Sequence, residues 1–133
     1  MARDLSSFIR DLSADDAATR AAAAEKLNEL EEAASPAAIA LIDALQDTDE
    51  SVRQLCNSAL ENCGPPPDAL IDNLEHRLSS SSADVAYWAA TLLGRLEAGA
   101  VQAEDSLKTA AANHPADEVR QRATWALGKI ASG

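Results

Sequence analysis

Four copies of one residue pattern follow each other along this 133-residue chain at a spacing of 33 or 34 residues. In the second copy the pattern consists of Val52, Cys56, Leu60 and Cys63. These residues lie 0, 4, 8 and 11 positions from the start of that copy. The matching positions of the other copies are Thr19, Ala23, Leu27 and Leu30; Val85, Ala89, Leu93 and Leu96; and Val119, Ala123, Leu127 and Ile130. A fixed period in this range predicts a repeat architecture, in which each unit buries its apolar face only against its neighbours.

This spacing places the marked residues on one face of an α-helix, which we call the B helix of each repeat. Helix-capping residues precede the four B helices, namely Ser13 to Asp16, Asp49, Ser82 and Asp117. A second apolar segment, the A helix, comes before each B helix. We expect the A helices over about residues 3–12, from Ser35-Pro36, after Pro65-Pro66-Pro67, and after Gly99.

Four glycines have predicted structural roles. Gly64 and Gly99 are expected to end the second and third B helices. Gly94 and Gly128 lie inside B helices at equivalent places, where glycine lowers helix stability. Both therefore predict the close approach of a neighbouring backbone.

Composition favours an all-α protein whose surface carries an excess of acid. Alanine is abundant, the β-branched residues are sparse, and the formal net charge is −11. This charge disfavours binding to nucleic acid and to anionic membranes, and a partner with a basic surface would complement it. The chain has no apolar stretch long enough for a transmembrane helix and no signal-peptide pattern at its start, so a cytoplasmic location is expected.

Few residues suit catalysis, and no cofactor or metal is expected. Cys56 and Cys63 stand two helical turns apart in apolar positions, which predicts buried reduced thiols. His76 and His114 are expected at the surface. The chain contains no HExxH, CxxC or glycine-rich phosphate motif.

The repeated residues resemble a HEAT repeat. Asp49-Glu50-Ser51-Val52-Arg53 is similar to the core of that repeat, and residues 119–130 resemble its short bacterial form, the PBS-lyase HEAT-like repeat. The resemblance implies an all-α, right-handed α-solenoid of about four helix pairs. The expected organisation is one domain over residues 1–133, with repeats at about 3–33, 35–64, 67–98 and 100–131.

The same resemblance implies hydrogen bonds between adjacent repeats from the Asp and Arg of the motif. The matching residues are Arg20, Arg53, Arg120, Asp16 and Asp49. In the third repeat Ala86 replaces the arginine and Ser82 the aspartate, so an interruption is expected there, with Trp88 buried in the space.

A candidate binding surface comes from positions 2 and 6 of the B helices, which lie one turn apart outside the apolar columns. The resemblance places B helices on the concave side of the solenoid. Tyr87 and Trp125 would then lie close together on adjacent repeats, and exposed Tyr and Trp are enriched at binding hot spots. The predicted site is Gln54, Ser58, Glu61, Tyr87, Thr91, Arg95, Gln121 and Trp125.

The function predicted from these residues is a non-enzymatic scaffold that binds a protein partner through the concave face. One alternative is an enzyme-accessory or lyase-like protein that handles a cofactor, because bilin lyases share the repeat type. Another is a self-associating structural module. The last helix carries Val119, Leu127 and Ile130 with no following repeat in this sequence. This predicts either weak homo-oligomers through the terminal helices or a last helix whose apolar face packs wholly on the third repeat.

Overall fold

The structure, a computed structural model, describes residues 4–132. All secondary-structure elements over this range are helices, and the described residues form no strand. The predicted all-α fold of helix pairs is therefore confirmed. The backbone contacts divide the chain into two units, one ending at Gly64 and the other beginning at Pro65.

The first unit contains two helix pairs. Its helices are α1 (Leu5–Asp11), α2 (Ala17–Glu29), α3 (Ala38–Asp43) and α4 (Glu50–Asn62). The A helices α1 and α3 pack against the B helices α2 and α4, and α2 packs along α4. Residue 3 of the predicted first A helix lies outside the described residues.

The second unit repeats this arrangement. Its helices are α5 (Ile71–Arg77), α6 (Ala83–Arg95), α7 (Glu104–Asn113) and α8 (Asp117–Ser132). The A helices α5 and α7 pack against the B helices α6 and α8, and α6 packs along α8.

The B helices begin where the capping residues predict. The side chains of Asp16, Asp49 and Ser82 each accept a hydrogen bond from the backbone N–H three residues later, at 3.1, 3.1 and 3.4 Å. Each bond satisfies an amide that has no partner within the helix. The fourth B helix differs from the prediction, because Asp117 is its first residue and not the cap that precedes it.

Of the two predicted B-helix ends, the one at Gly64 is correct and the one at Gly99 is wrong. The residues with left-handed φ are Glu31 (49°), Gly64 (70°) and Glu97 (50°), at equivalent positions of successive repeats. Gly64 follows α4 as predicted, but Glu97, not Gly99, is the left-handed residue after α6. Glutamate is unfavourable in this conformation, which is why the glycine pattern failed to mark these turns.

The second and fourth A helices also begin differently. Three-ten helices run over Glu31–Ala37 and Glu97–Ala103, with the left-handed residue at the first position of each, and lead into α3 and α7. Pro36 lies inside the first of these segments, so the predicted helix start at Ser35-Pro36 is wrong. The chain already turns helically at Glu31, and α3 begins only at Ala38.

The apolar columns of the B helices form the core. All four marked residues of α4 are buried, as are Leu27, Leu93 and Ile130 in the other copies. Leu30 is 37% exposed, and Thr19, Leu96 and Leu127 are half-buried. Trp88 is 6% exposed, which confirms its predicted burial.

The two cysteines are free, buried thiols, as predicted. Burial raises the pKa of Cys56 to about 12, and the nearby charge of Asp47 adds to this effect. The Cys63 thiol donates a hydrogen bond to the Leu60 carbonyl at 3.5 Å. Because the reactive form of cysteine is the thiolate, Cys56 is inert at neutral pH.

A polar link joins the two repeats of the first unit. The Arg20 guanidinium donates to both carboxylate oxygens of Asp47, with Nε at 2.8 Å and Nη2 at 3.2 Å. The expected acceptors were Asp16 and Asp49, and that prediction is wrong because both cap their own helices. Asp47 stands just before the cap of α4, within reach of the preceding repeat.

The motif arginines also share a contact within their own repeats. Arg20, Arg53 and Arg120 each donate from Nη1 to the carbonyl six residues earlier, at 2.9, 2.7 and 2.6 Å. The accepting residues are Ala14, Asp47 and His114. The bond holds the loop before each B helix against that helix.

In the third repeat a histidine makes this bond in place of the missing arginine. Ser80 supplies the equivalent carbonyl, and its oxygen lies 3.0 Å from His114 Nε2 of the next repeat. His114 Nδ1 accepts from the Ala116 N–H at 3.1 Å, so Nε2 carries the proton and donates. His114 is only 7% exposed, so its predicted surface position is wrong.

We predict that Asp47→Asn destabilises the protein in a pH-dependent way. Burial acts to raise the pKa of Asp47, but hydrogen bonds from Arg20 and the Asp49 amide, with the charges of Arg20 and Arg53, hold that pKa below its usual range. A lowered pKa stabilises the fold above the unfolded value of about 3.9, and this stabilisation is lost as pH falls through the folded pKa. Urea unfolding should show a loss of about 2 kcal/mol at pH 7 that shrinks below pH ~4.

Asp15→Asn removes the same charge from an exposed side chain and is the control for Asp47→Asn. An equal effect of both substitutions, or a loss for Asp47→Asn that does not change with pH, would contradict the role of the Arg20–Asp47 pair.

We predict that His114→Ala destabilises the fold by about 1–3 kcal/mol, because it removes the hydrogen bonds to the Ser80 carbonyl and the Ala116 amide. His76→Ala is the control, since that side chain is exposed. It should change the free energy of unfolding by less than about 0.5 kcal/mol. Similar midpoints for both variants in thermal unfolding would argue against the link.

Candidate functional site

The eight predicted site residues all lie on B helices. Helix α4 of the first unit carries Gln54, Ser58 and Glu61. In the second unit, α6 carries Tyr87, Thr91 and Arg95, and α8 carries Gln121 and Trp125.

The α4 residues lie on an amide-rich surface of the first unit. Ser58 Oγ is 3.2 Å from Asn28 Oδ1 on α2, and Asn62 Nδ2 donates to the same oxygen at 3.0 Å. Gln54 Nε2 donates to Glu50 at 3.1 Å. These bonds lie along α4 and between α4 and α2, and the surface has no aromatic side chain.

The second unit carries a cluster of Tyr87, Arg122 and Trp125, which we call the Tyr–Arg–Trp cluster. The Arg122 Cζ atom lies 4.8 Å from the centroid of the Tyr87 ring and 4.6 Å from that of Trp125. Arg122 also donates from Nη2 to the Tyr87 hydroxyl at 2.6 Å. The two aromatic residues therefore lie close together on adjacent B helices, as predicted, with one guanidinium in contact with both.

Arg122 was absent from the predicted site. Arg122 lies one period after Trp88, at the equivalent helix position. Because Trp88 was predicted to be buried, this position was assigned to the core and Arg122 was not considered as a site residue. The available signal was its position three residues before Trp125, which places both side chains on one helix face.

The cluster is open to solvent on its Trp125 side. Trp125 is 37% exposed, while Tyr87 and Arg122 are half-buried. Glu118 and Gln121 line the same shallow hollow as the cluster. Gln121 is exposed there.

Gly94 admits the Trp125 ring. A Cβ atom at Gly94 would lie 2.4 Å from Cζ3 and 3.0 Å from Cε3 of Trp125, and 3.1 Å from the Cα of Ala126. No real Cβ tolerates such contacts, so the predicted close approach is confirmed at Gly94. At Gly128 a Cβ would meet nothing within 4 Å, and the same prediction is wrong there.

Thr91 is a support for the site and not part of its surface. It is 5% exposed, and its hydroxyl donates to the Tyr87 carbonyl at 2.8 Å. A second hollow beside the cluster is lined by Pro65, Thr91, Arg95, Glu97, Arg122, Trp125 and Lys129. Arg95 lies there with its Cζ 5.5 Å from the centroid of the Trp88 ring.

A third hollow lies on the A-helix side, between α5 and α7. Its lining includes Glu75, Ser79, Ser106, Thr109 and His114. Ser106 Oγ donates to Glu75 at 2.8 Å, and both His114 nitrogens are used in the links described above. The hollow thus contains polar groups that already serve the packing of α5 against α7.

Metal-binding clusters and membrane-spanning helices are both absent from residues 4–132. No group of three or more His, Cys, Asp or Glu side chains there is placed to hold a metal ion. Within the same residues, none of the helices has the length and apolar character needed to cross a membrane.

Comparison with known proteins agrees with the repeat assignment. A family model described as HEAT repeats matches residues 67–132. Crystal structures of three engineered proteins resemble 99% of this chain at 25% identity, with TM-scores of 0.61, 0.57 and 0.56. The chain spans 65%, 64% and 38% of those proteins, respectively. No curated protein matches it.

We predict opposite effects for alanine at the two equivalent glycines. Gly94→Ala should lower the free energy of unfolding by more than about 2 kcal/mol, because its Cβ would displace the Trp125 ring and the α8 backbone. Gly128→Ala should raise it by up to ~1 kcal/mol, since alanine favours the helix and nothing obstructs it. Chemical denaturation of both variants would test this, and destabilisation by Gly128→Ala would contradict the open position of that residue.

Proposed function

Residues 67–132 are HEAT repeats, and from this we propose that the protein is a non-enzymatic scaffold that binds a protein partner on its B helices. We place the contact at the Tyr–Arg–Trp cluster of the second unit. The observation that carries the proposal is the 37% exposure of Trp125 beside Tyr87 and Arg122.

The chemistry of the cluster supports a protein contact. Trp, Tyr and Arg are the residue types most enriched among interface residues that dominate binding energy. The whole chain has only four aromatic residues, and two of them belong to this cluster. Stacked repeats also present extended helical surfaces that suit the binding of another chain.

The rigidity of the cluster supports the same function. Trp125 fits against Gly94, and the Tyr87 ring packs edge-on against buried Trp88 with centroids 5.8 Å apart. The Thr91 hydroxyl bonds the Tyr87 carbonyl, and Arg122 bonds the Tyr87 hydroxyl. Side chains already held in place lose less entropy on binding.

The acid excess of the chain favours a protein partner with a basic surface over a nucleic acid. A net charge of −11 repels phosphate backbones and attracts basic surfaces at long range. This attraction acts mainly on the rate of association, while the cluster would supply the short-range contacts.

The experiment uses peptides selected from a random displayed library for binding to the full chain. We expect the double variant Tyr87→Ala/Trp125→Ala to weaken the Kd of the selected peptides by about 30-fold or more, as for hot-spot residues. Val101→Ala is the matched control, because Val101 is an apolar residue of the same unit that is 61% exposed. Circular dichroism would establish that both variants are folded.

Failure to select any peptide that depends on the cluster would contradict the proposal. So would a folded double variant that keeps the wild-type affinity.

A further inference from the structure

Arg122 has no ion-pair partner among the described residues, in a chain with twice as many acidic as basic side chains. Arg20 and Arg120 pair with Asp47 and Asp117, whereas Arg122 bonds only to the Tyr87 hydroxyl and contacts the two rings. Glu118 lines the same hollow one turn earlier on α8, yet it forms no ion pair with Arg122. This half-buried arginine therefore forms no direct ion pair with a carboxylate of residues 4–132.

The surroundings of Arg122 leave it suited to an incoming carboxylate. A guanidinium has five N–H donors in one plane, and a carboxylate accepts two of them in parallel. Tyr87 uses one donor, and the contacts with the two rings restrict the motion of the group. Holding the donors in place reduces the entropy lost when the carboxylate binds.

We propose that the Tyr–Arg–Trp cluster recognises an acidic side chain of the partner. The Asp or Glu carboxylate binds the Arg122 guanidinium, and a neighbouring apolar side chain of the same segment packs on the exposed part of Trp125. This inference rests on the proposed function and names the chemistry that the cluster selects.

The charge around the cluster limits the partner further. Arg95, Lys129 and Glu97 line the adjoining hollow with Arg122. Glu118 lines the hollow of the cluster itself, so the local balance over both hollows is slightly positive. The chain as a whole is strongly acidic, at −11, and repels a partner that carries many negative charges. The matching segment has a single carboxylate, an adjacent apolar residue and basic or neutral flanks.

The peptides that depend on Trp125, from the displayed library above, provide the test. We expect them to share one Asp or Glu next to a large apolar residue. A synthetic peptide with this acid changed to Gln or Asn should bind the full chain at least 10-fold more weakly by isothermal titration calorimetry.

A double-mutant cycle assigns the effect to Arg122. With Arg122→Gln, the acidic peptide and its amide counterpart should bind with Kd values within twofold of each other. Arg122→Lys keeps the charge but loses the paired donors. The ratio of the Kd of the amide peptide to that of the acidic peptide should then lie between the wild-type and Arg122→Gln values. Arg77→Gln, at an arginine of the same unit outside the cluster, should leave the wild-type ratio unchanged.

The outcomes separate this inference from the proposed function. Peptides that need Trp125 but bind equally well with Gln in place of the acid would overturn carboxylate recognition and leave protein binding intact. Tighter binding of a phosphoserine peptide than of its Glu counterpart would also overturn it, in favour of phosphate. The absence of any peptide that depends on Trp125 would contradict both carboxylate recognition and protein binding at the cluster.

Discussion

The close contact of α8 with α6 at Gly94 is the constraint on which the second unit depends. Because Gly94 has no Cβ, the Trp125 ring and the Ala126 backbone lie closer to α6 than they could if any other amino acid stood at position 94. The same contact holds Trp125 with part of its ring exposed and brings Arg122 to the Tyr87 hydroxyl. Packing between repeats and placement of the candidate site are therefore consequences of one missing methyl group.

A second constraint concerns the loop before each B helix, whose carbonyl needs a donor. The first, second and fourth repeats use their own arginine. The third repeat uses His114 of the following repeat, because Ala86 has no side-chain donor. The hydrogen bond is thus retained although the residue that makes it has changed. In the first unit, Asp47 adds a link between repeats by pairing with Arg20.

Much of the fold could be predicted from the sequence, because the B helices depend on local caps and on one apolar face. The ends of those helices could not, since Glu31 and Glu97 adopt a conformation that the sequence pattern assigns to glycine. Gly94 and Gly128 look identical in sequence, yet only Gly94 has a neighbouring helix against it. The pairing of Tyr87 with Trp125 was predictable from the period, whereas Arg122 was hidden because its column holds a buried tryptophan one repeat earlier.

We propose that a partner binds the B helices of the second unit at the Tyr–Arg–Trp cluster. An NMR titration of the isotope-labelled full chain with a selected peptide tests this claim most directly, because it reports every contacted residue at once. If the partner binds at the cluster, the largest chemical-shift changes fall on the Trp125 indole N–H, the Arg122 Nε–H and the backbone of Tyr87. Changes concentrated on the A helices α5 and α7, with these three signals unmoved, would contradict it.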